Sequence, residues 1–267
     1  MRKIRLTIEY DGTRYSGWQS QKKMPASQSM PGIRTVQEEI ADRLNRLVKS
    51  GGVSVVCAGR TDAGVHALGQ VAAFSVNAGF GHTPQAVKKA LNAMLPEDIR
   101  IVEADDCPPD FHPRHDAVKK TYFYLMALTH DPPVFMRRYS WEIPWRLDVE
   151  AMRDAAHLIA GKKDFSAFRA AGCGSKTPVK NIFSIEIARM AEIGFLTASL
   201  RGDFLRISLT ADAFLRHMCR NIVGTLLLVG RGRITPGDVQ GIIDSGDRRL
   251  AGPSAPAKGL FLERVYY

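Results

Sequence analysis

Hydrophobic and polar residues alternate at the start of the chain. In the segment IRLTIEYD, the side chains of Ile4, Leu6, Ile8 and Tyr10 fall on one face of an extended backbone. This period of two predicts a half-buried β-strand, because successive side chains of a strand point to opposite faces of its sheet. A long segment rich in Gly, Pro, Ser and basic residues follows over 11–34 and predicts a loop.

Two later segments have the apolar spacing of helices. In TVQEEIADRLNRLVK, Thr35 followed by Glu38 three residues later predicts a capping box at the helix start. Its apolar positions recur every three or four residues, at Val36, Ile40, Leu44 and Leu47. The segment HTPQAVKKALNAML predicts a second amphipathic helix, again with Thr and then Pro at its start.

The segments between these helices have the character of strands. GVSVVCAG and GQVAAFSV are apolar and rich in β-branched residues, and IRIVEADDC follows the second helix. The order is therefore β-α-β-β-α-β, which is the ferredoxin-like arrangement of an antiparallel sheet backed by two helices.

The same order recurs loosely in the rest of the chain. Strands are predicted at KKTYFYLMAL, NIFSIEIARM, FLTASLRGDFLRISLTA and GLFLERVYY, and helices at DVEAMRDAAHLIAG, AFLRHMCRNIVGTLLLVGRG and TPGDVQGIIDSG. We therefore predict an α+β fold of two ferredoxin-like, RRM-like halves that share a mixed, mostly antiparallel sheet with helices on one face. A boundary within 105–118 gives predicted domains 1–108 and 109–267.

Composition narrows the class of protein. Of 267 residues, 45% are hydrophobic and 24% charged, which is ordinary for a globular protein, and the formal net charge is +10. That charge fits either an ordinary basic protein or one that binds a polyanion such as nucleic acid. GxGxxG, P-loop, HExxH and GxSxG motifs are all absent from the sequence, so cofactor-binding, metalloprotease and serine-hydrolase functions have no support.

Cysteine usage and hydropathy predict a cytoplasmic protein without a membrane segment. The cysteines at 57, 107, 173 and 219 form no CxxC pair, which argues against a zinc site and a disulfide framework. The first residues, MRKIRLTIEYDG, contain no apolar signal core. The longest apolar stretch, over 222–230, is too short to span a bilayer.

A charged pair lies on a predicted bend between two strands, in AGRTDAGVHALGQ. Arg60 and Asp62 are two residues apart, so an extended backbone directs both side chains to one face. The cation favours the ionised carboxylate, which in a pocket can act as a nucleophile or a base. The alternative is a surface turn whose aspartate caps a nearby amide.

Other candidates for chemistry lie in the second half. Tyr122 lies in a strand beside a lysine pair, which suits either core packing or a platform that stacks on a base. Arg216 and Arg220 are four apart on a predicted helix face, where they are either solvated or contact phosphate. The spacing of the histidines does not distinguish an acid or base among them, and we interpret each as structural or RNA-facing: His66, His112, His115 and His217.

Taken together, these motifs resemble the TruA type of tRNA pseudouridine synthase. The matching segments run from end to end of the chain: EYDGTRYSGWQSQ, TVQEEI, AGRTDAGVHALGQVAAF, FHPRHDAVKKTYFY, DFSAFRAAGCGSKTPVKNI, AFLRHMCRNIVG and GLFLERVYY. GRTDAGVHA is highly specific to this family. The chain departs from the pattern in a less arginine-rich DAVKKTYFY and in a long insert, QKKMPASQSMPG.

The resemblance implies an isomerase that converts uridine to pseudouridine at positions 38, 39 and 40 of the tRNA anticodon stem-loop. It implies that Asp62 is the catalytic aspartate and that Arg60 acts when the target base leaves the stem. Tyr122 then stacks on the flipped uracil, and Arg220 forms a salt bridge with the aspartate. It further implies a homodimer with no cofactor and no metal. A non-catalytic RNA-binding module and a synthase acting on another RNA remain as alternatives.

Overall fold

The computed structural model describes residues 1–19, 34–49, 52–195 and 197–267, without the side chain of Phe195. Most of the loop predicted over 11–34, including the insert QKKMPASQSMPG, lies outside the described residues. By internal contacts the chain divides into a first unit, residues 1–118 and 262–267, and a second unit, residues 119–261. The predicted domains 1–108 and 109–267 stay a prediction.

The first unit follows the predicted order of elements. Its strands are β1 (Arg2–Tyr10), β2 (Val56–Cys57), β3 (His66–Val76), β4 (Ile99–Cys107) and most of β10 (Leu260–Tyr266), and its helices are α1 (Val36–Val48) and α2 (Pro84–Met94). The strands lie in the order β4-β1-β3-β10, and β2 also pairs with β3. β1 pairs antiparallel with both β3 and β4, so it lies inside the sheet.

Local sequence signals in this unit are confirmed. Ile4, Leu6 and Ile8 are fully buried along one face of β1. α1 begins with a complete capping box, in which Thr35 and Glu38 exchange side-chain to backbone hydrogen bonds. Such a cap stabilises a helix by about 1 kcal/mol, because it satisfies amides that have no partner in the first turn.

The strand predicted at GVSVVCAG is much shorter in the structure, where β2 holds two residues. Side chains of α1 bond the preceding backbone instead. Asn45 accepts the Val53 N–H at 2.8 Å, and Gln37 donates to the Val55 carbonyl at 2.8 Å. Long-range contacts therefore take the hydrogen-bonding groups that a longer strand would need.

The second unit is also α+β. Its strands are β5 (Lys119–Ala127), β6 (Trp141–Glu142), β7 (Gly161–Asp164), β8 (Val179–Phe195) and β9 (Ala198–Ala211), and its helices are α3 (Val149–Ile159), α4 (Met218–Gly230) and α5 (Pro236–Ser245). The order is β5-β9-β8-β7 with antiparallel pairing, and β6 pairs parallel with β5. The predicted α+β class with mixed, mostly antiparallel pairing is confirmed.

One helix prediction is wrong in its extent. The pattern predicts a helix from residue 213, but α4 begins at Met218, because His217 has a left-handed backbone with φ of 61°. The carbonyl of Arg216 accepts the Ala170 N–H at 3.0 Å and so serves a neighbouring loop. Arg216 therefore precedes the helix, and it does not share a helix face with Arg220.

Candidate active site

Asp62 lies in the loop between β2 and β3 of the first unit. Exposure alternates along its neighbourhood: Arg60 is exposed, Thr61 is 7% exposed and Asp62 is partly buried. Thr61 is therefore directed inward, and the two charged residues on either side of it are more accessible to solvent. This loop, residues 58–65, is called the aspartate loop below.

Hydrogen bonds hold the aspartate loop at Gly59 and Thr61, on the N-terminal side of Asp62. The Thr61 carbonyl accepts the Trp18 N–H at 3.1 Å, and the Thr61 hydroxyl lies 2.8 Å from the Tyr10 hydroxyl. Upstream, Gln70 donates from Nε2 to the Gly59 carbonyl at 2.7 Å. Residues far apart in sequence therefore fix the backbone that carries the carboxylate.

The segment GTRYSGW (12–18) packs its backbone directly against the aspartate loop. A Cβ atom on Gly12 would lie 2.0 Å from the Val65 carbonyl oxygen, and one on Gly17 would lie 2.6 Å from that of Thr61. Gly17 also has φ of +85°, which side chains rarely adopt. Both positions therefore require glycine for the two backbones to meet.

His66 supports this packing. Its side chain is 1% exposed, and Nδ1 accepts the Gly12 N–H at 3.0 Å. The Asp11 carboxylate lies 3.1 Å from the same nitrogen. The position favours the structural interpretation of His66.

The aromatic candidate lies in the second unit. Tyr122 is 6% exposed in β5, and its ring meets Phe214 edge-on, with centroids 5.0 Å apart at 77°. Phe123 points to the other face and stacks on Phe261 with centroids 4.7 Å apart. Tyr124 is fully buried, donates its hydroxyl to the Pro256 carbonyl at 2.8 Å, and has a pKa raised by burial.

Arg220 lies in the first turn of α4, also in the second unit. Its Nε donates to the Ala255 carbonyl at 2.6 Å, and the Ala255 N–H donates back to the Arg220 carbonyl at 3.0 Å. Arg216 is exposed and donates to the Ala171 carbonyl at 3.1 Å. The two arginines therefore donate hydrogen bonds to different loops.

The next residue, Asn221, makes buried hydrogen bonds that the sequence did not predict. It is fully buried, donates to the Phe168 carbonyl at 2.8 Å and accepts from Arg248 at 3.0 Å and from the Ser254 hydroxyl. These bonds hold the segment that presents Ala255 to Arg220. The sequence does place this amide within an apolar helical segment, which could have indicated its role, because a buried amide needs hydrogen-bond partners.

Arg60 and Asp62 lie in the aspartate loop of the first unit, whereas Tyr122 and Arg220 lie in the second unit. Within the described residues, no group of three or more His, Cys, Asp or Glu side chains is arranged to hold a metal ion. Among the helices of the described part of the chain, none combines the length and hydropathy that a membrane span requires.

Comparison with known proteins assigns the family. A sequence profile of the tRNA pseudouridine synthases matches residues 6–116 and 155–267. The tRNA pseudouridine synthase A of Thermodesulfovibrio yellowstonii is 37% identical over 99% of both chains, and that of Moorella thermoacetica is 42% identical over 99% of both. A solved Cbf5-Nop10-Gar1 complex matches at 11% identity, over 84% of this chain and 53% of that chain, with a TM-score of 0.32.

The chain belongs to the tRNA pseudouridine synthase family. Its activity is that of an isomerase, which converts uridine in tRNA to pseudouridine. The resemblance carried by GRTDAGVHA and the other motifs is thereby confirmed.

Proposed function

We propose that this enzyme modifies uridines 38, 39 and 40 of the tRNA anticodon stem-loop, with Asp62 as the catalytic group acting on a flipped-out uridine. The observation that carries the proposal is the construction of the aspartate loop. The backbone is bonded at Gly59 and Thr61, and Gly12 and Gly17 pack against it, while Asp62 keeps access to solvent. A preorganised carboxylate on a rigid support is what such a reaction requires.

The reaction breaks the bond between C1′ and N1 of the uridine and forms a bond from C1′ to C5. C5 loses a proton and N1 gains one, so atoms balance without an oxidant, a reductant or water. Asp62 can serve by attacking C1′, by attacking C6, or by removing the 2′ proton to give a glycal. In each case the carboxylate must be ionised at the start, because a protonated carboxyl group is neither a nucleophile nor a base.

Arg60 is proposed to contact the RNA as the base leaves the stem. It is exposed and lies two residues from Asp62, so its guanidinium can bind phosphate or fill the space that the base leaves. Extruding a base costs a few kcal/mol, which phosphate contacts by a protein of net charge +10 help to offset.

Tyr122 and Arg220 are proposed as substrate-binding residues. Stacking on an aromatic ring is worth about 1–3 kcal/mol per base. Because Tyr122 is 6% exposed, stacking requires a face of its ring to be uncovered when RNA binds. Arg220 has its Nε committed to Ala255, which fixes the orientation of its planar guanidinium.

We also propose that the enzyme acts in the cytoplasm, as a homodimer, and without a small-molecule cofactor. The dimer and the lack of a cofactor are proposed from the family assignment, and the cytoplasmic location is proposed from cysteines that form no CxxC pair. Size-exclusion chromatography with light scattering tests the dimer, for which a monomeric mass at micromolar concentration is the contrary result.

The decisive experiment maps pseudouridine in unmodified tRNA after incubation with purified protein. We expect product at positions 38, 39 and 40 with the wild type and none with Asp62→Asn, which retains the shape of the side chain. Both proteins should bind tRNA with similar affinity. Product from Asp62→Asn would refute the catalytic assignment, and product only outside the anticodon stem-loop would refute the target.

A further inference from the structure

A buried contact between two hydroxyl groups joins the aspartate loop to strand β1. The Tyr10 hydroxyl and the Thr61 hydroxyl are 2.8 Å apart, and the two residues are 4% and 7% exposed. They are separated by 51 positions in the chain, so the contact is purely tertiary. Thr61 lies between Arg60 and Asp62 in the sequence.

Thr61 is held at two points. Its carbonyl accepts the Trp18 N–H at 3.1 Å, and its side chain meets Tyr10. Because Thr61 and Asp62 share a peptide plane, holding the carbonyl and the side chain of one residue sets the direction in which the next one leaves the backbone. A carboxylate that drifts by about 1 Å can lose on the order of 100-fold in rate.

Tyr10 is a rigid support for this contact. It is the last residue of β1 and lies opposite Ala67 in β3 and Ile99 in β4, so neighbours on both sides hold its backbone. Its ring packs against Trp18, with centroids 6.0 Å apart. A hydroxyl carried by an inner strand is positioned more accurately than one carried by a loop.

We propose that Tyr10 and Thr61 are positioning residues for catalysis, and that their hydroxyl contact orients the Asp62 carboxylate toward the uridine. This inference rests on the proposed catalytic role of Asp62. Neither hydroxyl is required to touch RNA. The competing explanation is that the contact contributes to folding alone, as many buried hydrogen bonds do.

Tyr10→Phe, Thr61→Val and the double variant test the inference. Each removes a hydroxyl and retains most of the side-chain volume. We expect each single variant to lower kcat about tenfold or more while KM and tRNA affinity change less than about twofold. The double variant should be no slower than the worse single variant, because the residues act as one unit. Thr61→Ser, which keeps a hydroxyl at this position, should retain most of the wild-type kcat that Thr61→Val loses.

Tyr267→Phe provides the matched control in the same unit. It removes a phenol that donates to the Pro113 carbonyl at 2.8 Å, a bond that involves no residue of the aspartate loop. Thermal melting of every variant separates stability from rate. If Tyr10→Phe and Thr61→Val lose stability but keep kcat within twofold, as expected for Tyr267→Phe, the inference is wrong.

If Tyr10→Phe does not fold, the comparison of Thr61→Val with Thr61→Ser decides, and equal kcat for these two would overturn the inference. Asp62→Asn is assayed in parallel. Turnover by that variant would refute the proposed function itself, whereas an inactive Asp62→Asn with unaffected hydroxyl variants would refute only the positioning role.

Discussion

Arg220 and Ala255 hold each other through two hydrogen bonds, one in each direction. The guanidinium Nε donates to the Ala255 carbonyl, and the Ala255 N–H donates to the Arg220 carbonyl. The partners are 35 positions apart, and the bonds join the first turn of α4 to the loop before β10. The orientation of this arginine therefore depends on a loop as much as on its helix.

Arg220→Lys should lower turnover more than tRNA affinity. Lysine retains the charge but has no Nε donor in a planar fork, so the bond to Ala255 is lost. A charge-assisted hydrogen bond is worth about 1.5–3 kcal/mol, which corresponds to roughly 10–100-fold in kcat. Steady-state kinetics and filter binding measure the two effects. Equal losses in kcat and affinity would instead indicate a simple phosphate contact.

Tyr122→Ala should also reduce turnover selectively. Removing the ring abolishes base stacking of about 1–3 kcal/mol and leaves the phosphate contacts in place. Phe123→Leu is the control on the opposite face of β5, where the ring stacks on Phe261. It should lower the melting temperature and leave kcat unchanged well below that temperature. The same kinetic loss in both variants would show that strand packing is responsible.

Gly12→Ala should disrupt the aspartate loop. Its Cβ would lie 2.0 Å from the Val65 carbonyl oxygen, so one of the two backbones must move. Overpacking of this kind costs about 1–3 kcal/mol, and we expect both the melting temperature and kcat to fall. Gly79→Ala is the control, since nothing lies within 4 Å of its Cβ position. A Gly12→Ala protein with wild-type stability and rate would contradict this close packing of the two backbones.

Cys57 should resist thiol reagents in the native protein. Burial raises the pKa of its thiol to about 11, so little of the reactive thiolate is present at pH 8. Labelling should accelerate as pH rises toward that pKa, and it should become fast on unfolding. Mass spectrometry of peptides labelled at pH 8 checks this, and rapid native labelling of Cys57 would contradict it.

Affinity for tRNA should fall steeply with salt. A protein of net charge +10 that neutralises several phosphates releases counterions, so the logarithm of the association constant falls linearly with the logarithm of salt concentration. Filter binding between about 50 and 200 mM salt measures the slope. A flat response would show that the basic residues do not contact the RNA backbone.

Much of the secondary structure could be predicted because it depends on neighbouring residues. Thr35 and Glu38 cap α1 within a single turn, and the alternation from Ile4 to Tyr10 needs only the pleat of a strand. The start of α4 could not be predicted, because the left-handed His217 and the bond from Ala170 to the Arg216 carbonyl depend on a distant loop. The same applies to β2, where side chains of α1 bond the preceding backbone.

The sequence by itself determined the α+β class, the family and the candidates Asp62, Arg60, Tyr122 and Arg220, because motifs and periodicity are local and ordered along the chain. Only the tertiary structure decided what holds those candidates. Tyr10 meets Thr61 across 51 positions, and Ala255 meets Arg220 across 35. No local pattern encodes such partners, since a hydrogen bond forms wherever folding brings a donor and an acceptor within about 3 Å.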